Sequence, residues 1–173
     1  MWVFGYGSLM ADGWEVPHGC TRRCHASLPG FSRAFDKAST ESRGSREHPA
    51  PTLRLVVSDG ACQGVAFEFS DSARARVIAD LTRREGNTFP LREKQVRLED
   101  GQTVTALVPV YEGKQLIDGK SLYEIAAMAI AAKGIRGTGV QYVRDVAGHL
   151  ARAGIDDPAI TNLLREIENR LAK

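Results

Sequence analysis

No run in this chain of 173 residues approaches the roughly 18 consecutive apolar residues that a membrane-spanning helix needs. Charge of one sign is also lacking. Lys and Arg number 23 against 21 Asp and Glu, a net charge of +2, with no arginine-rich or aromatic-basic stripe. That balance gives no footprint for nucleic acid. The start is apolar for only a few residues and has no basic leader, so no signal peptide is expected and the expected location is cytoplasmic. Cysteine is scarce: Cys20, Cys24 and Cys62 cannot all pair within one chain, and free thiols in a reducing compartment are the simpler expectation.

What is present is ordinary in amount. Apolar residues make up 43% and charged residues 25%, the balance of a soluble globular protein. The length suits one domain with a sizeable core, and residues 1–173 are read as a single domain without repeats or a dividing linker. One cluster, His18-Gly-Cys20-Thr-Arg-Arg-Cys24-His25, places four soft ligands close together, as zinc would require. Its spacing is not that of a zinc finger and no second knuckle follows. A structural loop or strand is expected there, and no metal.

Local patterns divide the chain into strands first and helices last. Trp2-Val-Phe4 is β-prone and stops at Gly5, and a second strand is expected near Ala26–Leu28. Residues 36–51, polar and proline-containing, read as a long surface loop. Leu53, Leu55 and Val57 alternate, Ser58-Asp59-Gly60 offers a turn, and Val65, Phe67 and Phe69 alternate on the return, which together predict a hairpin. A helix is expected over Ser72–Arg84, capped by Ser70 or Asp71, with Val77, Ile78 and Leu81 inward and Gly86 beyond its end. A second hairpin turns at Glu99-Asp100-Gly101. Three helices follow. The first opens with the capping box Ser121-Leu-Tyr-Glu124 and ends before Gly134. The second carries Val140, Val143, Ala147 and Leu150 and closes at Gly154. The third starts at Asp157-Pro158 and buries Ile160, Leu163, Leu164, Ile167 and Leu171. The class is antiparallel α+β.

Four places could carry chemistry. Tyr6-Gly7-Ser8-Leu9 turns directly after a strand and presents backbone N–H groups with little side-chain obstruction, a concavity suited to a carboxylate or phosphate. Neither a Walker lysine nor a GxGxxG pattern accompanies it, and an ordinary glycine-rich turn is the plain alternative. Glu85 falls at a helix C-terminus, where the dipole disfavours a carboxylate and would push its pKa upward, toward proton exchange near neutrality. Arg83 or Arg84 would oppose that shift if either faces it. Arg43-Gly44, in the polar loop, offers a guanidinium for an anionic substrate. Tyr142, on the helix of Val140 and Val143, could bring a hydroxyl to a site or simply pack.

Taken in order, these segments resemble the ChaC-like γ-glutamylcyclotransferases. Five matches carry the resemblance across nearly the whole chain: Trp2-Val3-Phe4-Gly5-Tyr6-Gly7-Ser8-Leu9; Ser39-Thr40 to Arg43-Gly44; Cys62-Gln-Gly64-Val65-Ala66-Phe67; Leu81 to Arg84-Glu85; and Gly134, Gly137 with Gln141-Tyr142-Val143. The resemblance implies a small, barrel-like, mostly antiparallel sheet with flanking helices. It also implies a lyase that cleaves glutathione or a related γ-glutamyl peptide by intramolecular attack of the α-amine, giving 5-oxoproline and, from glutathione, cysteinylglycine. Glu85 would be catalytic, and Tyr6, Gly7, Ser8, Leu9, Arg43, Gly44 and Tyr142 would bind substrate. No cofactor is implied, and the partner implied is a small-molecule γ-glutamyl substrate, with no nucleic acid or membrane. Two departures bear on which γ-glutamyl compound is used. Asn87-Thr88-Phe89 stands where Gly-Gly-Tyr is expected, and Gly139 and Gln141 stand where Asn and Glu are usual. A same-fold enzyme for γ-glutamyl amines and a catalytically silent carboxylate-binding module are the alternatives.

Overall fold

A computed structural model describes residues 1–10 and 13–172. Its strands are β1 (Trp2–Gly5), β2 (Arg22–Ser39), β3 (Ala50–Glu68), β4 (Leu91–Leu98), β5 (Thr103–Pro109), β6 (Lys133–Gly134) and β7 (Gly137–Thr138). The helices are α1 (Arg74–Glu85), α2 (Leu122–Ala131), α3 (Gly139–Arg152) and α4 (Pro158–Leu171). Two compact units emerge: residues 1–32 with 55–113, and residues 33–54 with 114 onward. Among the described residues no helix is long and apolar enough to cross a membrane.

The first unit contains a closed barrel in the order β1-β3-β2-β4-β5. β1 runs antiparallel to β3, pairing Gly5 with Val65, and parallel to β5, pairing Val3 with Leu107. β4 and β5 form the expected hairpin, from Leu91 opposite Pro109 to Arg97 opposite Thr103. Gly101 takes φ +86° in its turn, a conformation that glycine adopts without penalty. Closure gives every strand of the barrel a neighbour on each side. Val3, Phe4, Phe67, Val96 and Val108 are fully buried, each contributing on the order of 1.5–3 kcal/mol. Helix α1 buries Val77 and Leu81. It starts later than the sequence suggests, because Asp71–Ala73 forms a short 3-10 turn ahead of it and Ser70 makes no side-chain cap.

Both long strands exceed what the sequence suggests. β2 covers 18 residues and β3 19, so the connection between them shortens to residues 40–49. Asp36–Ser39 and Ala50–Pro51, read as loop, are strand. The hairpin expected at Ser58-Asp59-Gly60 does not form. The chain stays extended through it, and Gly60 is not among the glycines with positive φ. Val57, expected inward, is 84% exposed.

The second unit packs α2, α3 and α4 with the β6–β7 ribbon. α2 opens with the full capping box: Ser121 Oγ accepts from Glu124 N and Glu124 accepts from Ser121 N. Asp157 caps α4 through Ala159 N and also pairs at 2.7 Å with the buried Arg33. Buried faces are Ile125, Ala126 and Ala129 on α2, Val143, Val146 and Leu150 on α3, and Ile160, Leu163 and Ile167 on α4. Leu171, expected inward, is 49% exposed at the helix end. The helices approach closely because of small residues: a Cβ on Gly139 would lie 2.6 Å from the Ala129 carbonyl.

Candidate active site

In the first unit, β1 delivers the chain into a 3-10 turn, Ser8–Met10, closed by Met10 N donating to Gly7 O at 3.0 Å. The N–H groups that open such a turn have no acceptor within it. Tyr6 does not project outward. It is buried, and its hydroxyl donates to Pro109 O at 2.9 Å, pinning the turn to the end of β5. Gly5 and Gly64 serve close approach rather than unusual dihedrals. A Cβ on Gly5 would sit 3.0 Å from Leu9 Cβ, and one on Gly64 would meet the Phe4 ring at 2.6 Å. Two more contacts hold the turn: Trp14 Nε1 donates to Leu9 O at 2.9 Å, and Arg23 donates to Met10 O at 2.6 Å.

Glu85 is the last residue of α1. Gly86 follows with φ +74°, its N–H donating to Thr82 O, so the chain leaves the helix sharply and the carboxylate stays at the helix terminus. Arg84 Nε lies 3.3 Å from Glu85 Oε1, and these side chains are 27% and 18% exposed. Arg84 Nη2 donates to Ser8 Oγ, also at 3.3 Å. The guanidinium thus pairs with the carboxylate at the helix terminus. Arg83 turns elsewhere and pairs with Asp80. One arginine therefore joins the two segments that the sequence marks separately. Sequence reasoning treats Arg84 only as a charge beside Glu85, because the contact to Ser8 spans 76 positions. Just beyond Glu85, Phe89 packs on Tyr111 with ring centroids 5.1 Å apart.

The second unit brings Arg43 and Tyr142 together. The Arg43 guanidinium lies over the Tyr142 ring, 5.4 Å from its centroid, and 3.5 Å from Asp145 Oδ2. The Tyr142 hydroxyl accepts from Leu53 N at 3.1 Å, and its ring meets Phe35 edge-on. Gly44 is buried where backbone crowds it: a Cβ would meet His48 O at 2.5 Å, Ser39 O at 2.6 Å and Ala50 N. Gly134 is equally constrained, a Cβ falling 2.5 Å from Glu41 O. Gln141, at a position of departure, donates to Asp145 Oδ1 at 2.7 Å.

The thiol and imidazole cluster takes a different form. Among the described residues no three His, Cys, Asp or Glu side chains gather as a metal site requires. Cys24 is buried in β2, while His18 bonds to Asp80 at 3.1 Å. Burial pushes the Cys20 and Cys24 thiols upward in pKa.

The family model described as "ChaC-like protein" matches residues 1–170. The chain belongs to the ChaC-like family. Among its relatives, the glutathione-specific γ-glutamylcyclotransferase of Escherichia coli K12 is 30% identical, over 100% of this chain and 75% of that protein. The γ-glutamylcyclotransferase 2-3 of Arabidopsis thaliana is 24% identical, covering 100% and 91%. A crystal structure of a yeast γ-glutamylcyclotransferase specific to glutathione superposes with a TM-score of 0.83 at 21% identity, over 98% of this chain and 96% of that one. At that identity the likeness speaks for the ChaC-like fold: a closed five-stranded barrel with flanking helices.

Proposed function

We propose that this chain is a γ-glutamylcyclotransferase that converts glutathione to 5-oxoproline and cysteinylglycine, with Glu85 moving the proton and the Tyr6–Leu9 turn holding the γ-glutamyl group. The observation that carries the site reading is Arg84, within 3.3 Å of both Glu85 Oε1 and Ser8 Oγ. It ties a carboxylate at a helix terminus to a turn rich in backbone donors.

The reaction needs few parts. The substrate α-amine is largely protonated at neutral pH and must lose a proton before it can attack. Glu85 accepts that proton. The amine nitrogen then bonds to the γ-carbonyl carbon of the same glutamyl residue, closing a five-membered lactam. The bonded nitrogen then gives up a second proton, the amide C–N bond breaks, and the amine of cysteinylglycine leaves as its ammonium form, having taken up both protons, one of them returned by Glu85. Water is neither consumed nor released. General acid–base help of this kind contributes about 10²–10⁴-fold. Because nucleophile and electrophile share one chain, holding the glutamyl group folded is the other requirement, and well-oriented intramolecular attack reaches effective molarities of about 10⁵ M or more.

Within this reading, N–H groups of Gly7, Ser8 and Leu9 receive the substrate α-carboxylate. Tyr6 serves from beneath by fixing the turn through Pro109. Arg43, Gly44 and Tyr142 are assigned to substrate binding on motif resemblance, and the expected location is the cytoplasm. The test is incubation of purified protein with glutathione and with γ-glutamyl dipeptides, followed by mass spectrometry. 5-Oxoproline from glutathione supports the reading. Its appearance only from other γ-glutamyl compounds would reassign the substrate, and its absence from all would leave a binding module.

A further inference from the structure

The turn and helix α1 are joined at a second place. Trp14, whose indole N–H holds the Leu9 carbonyl at 2.9 Å, packs between Phe67 and Phe69 and lies 6.1 Å from the His18 ring. His18 is buried and its Nε2 lies 3.1 Å from Asp80 Oδ2 on α1. Its Nδ1 is buried without a hydrogen-bond partner among the described residues, so Asp80 is the polar anchor of the ring there. The His18 hydrogen bond is also what most strongly holds the Asp80 carboxyl below the usual carboxylate range. Asp80 precedes Glu85 by a little more than one turn of the same helix.

The first joint, Arg84 to Ser8, is a long contact made by a flexible side chain. Such a contact ties the turn to α1 only loosely. A second joint, made by two buried rings, is stiffer. The Arg23 contact to Met10 fixes the turn to β2 instead, so it does not set the distance to α1.

We propose that His18 is a positioning residue: bonded to Asp80 and packed on Trp14, it locks the Tyr6–Leu9 turn to helix α1 and so sets the separation between the bound γ-glutamyl group and Glu85. This rests on the proposed roles of Glu85 and the turn. Attack by a tethered amine tolerates little displacement, since about 1 Å of misplacement can cost up to ~10²-fold in rate. Loss of the joint therefore appears in kcat more than in KM, because the donors of the turn itself survive.

The experiment measures kcat and KM for 5-oxoproline formation from glutathione in His18→Leu, His18→Gln, Asp80→Asn and the double variant His18→Leu/Asp80→Asn. Arg83→Ala serves as a control for the other partner of Asp80, and folding is checked by circular dichroism. His18→Leu is expected to lower kcat about tenfold or more with KM within about threefold. His18→Gln, which can still donate to Asp80, recovers most of the loss. The double variant is no worse than His18→Leu, as for two residues sharing one interaction, and Arg83→Ala leaves kcat unchanged. If His18→Leu does not fold, Asp80→Asn alone decides, with the same expected loss. A folded His18→Leu or Asp80→Asn with kcat within about twofold of wild type overturns the proposal, as do losses that multiply in the double variant. Glu85→Gln is measured in parallel. Turnover surviving there while His18→Leu lowers kcat discards Glu85 as base and keeps the joint. Turnover lost there with His18→Leu unaffected discards the joint and keeps the base.

Discussion

Arg84 Nε stands 3.3 Å from Oε1 of Glu85, and the same guanidinium reaches the Ser8 hydroxyl at 3.3 Å. The two contacts differ in kind. The first joins full charges and the second joins a charge to a neutral hydroxyl that stands in solvent, so their loss should be felt unequally. Arg84→Met is expected to lower kcat/KM by about 10- to 100-fold, in line with ~1.5–3 kcal/mol for a contact to a charged group. Ser8→Ala should cost within about 1.5 kcal/mol, the upper end for one ordinary hydrogen bond. Steady-state kinetics on both variants checks the order. An Arg84→Met enzyme within about twofold of wild type would show that the guanidinium does not support the carboxylate.

Gly44 belongs to a motif that resemblance assigns to substrate, yet its surroundings give it a packing duty. A methyl there would strike three backbone atoms, of Ser39, His48 and Ala50, and backbone cannot move aside as a flexible side chain would. Gly44→Ala should destabilise the fold by about 1–3 kcal/mol or more, the range for overpacking. Urea denaturation measures it. Unchanged stability with lost turnover would assign Gly44 to the substrate instead.

How legible each feature was in the sequence depended on how locally it was determined. The capping box at Ser121, the Gly86 exit from α1 and the turn at Gly101 are decided by neighbours a few residues apart, and each forms as the pattern predicts. Ser58-Asp59-Gly60 has turn chemistry, but it lies inside one continuous 19-residue barrel strand and stays extended. Tertiary context overrides local preference there. The candidate site divides the same way. Glu85 and the Tyr6–Leu9 turn are visible because each is a local signature. Arg84 to Ser8 and His18 to Asp80 span 76 and 62 positions, and nothing local foretells either. In the sequence His18 stands out only beside Cys20, Cys24 and His25, as one of four soft ligands.

Glu124 supplies the pH prediction. Lys120, then the backbone and hydroxyl of Ser121, push its carboxyl down to about 2. The folded pKa lies below the unfolded one, so the stabilisation is complete above the usual carboxylate range and fades as pH falls toward about 2. Thermal unfolding of wild type and Glu124→Gln should differ near neutrality, with wild type more stable, and converge as the pH nears about 2. A difference that persists at the lowest pH would mean that the ionised capping box is not its source.

The thiols should be slow to react. Burial raises the Cys20 and Cys24 thiols, and Cys62 is buried in β3; the thiolate is the reactive form. Iodoacetamide near neutral pH should label the native protein slowly, and both it and EDTA should leave turnover nearly unchanged. Activity lost to EDTA and restored by zinc would revive the metal reading of His18, Cys20, Cys24 and His25.

The account stands or falls on whether the amide is broken by the substrate's own amine, with Glu85 carrying the proton. The direct measurement is reaction of glutathione in ¹⁸O-labelled water, with products from wild type and Glu85→Gln resolved by mass spectrometry. Wild type should release 5-oxoproline and cysteinylglycine in equal amounts, neither carrying label and with no free glutamate, while folded Glu85→Gln turns over at least ~10²-fold more slowly. Labelled glutamate in place of 5-oxoproline, or a Glu85→Gln enzyme within tenfold of wild type, would contradict it.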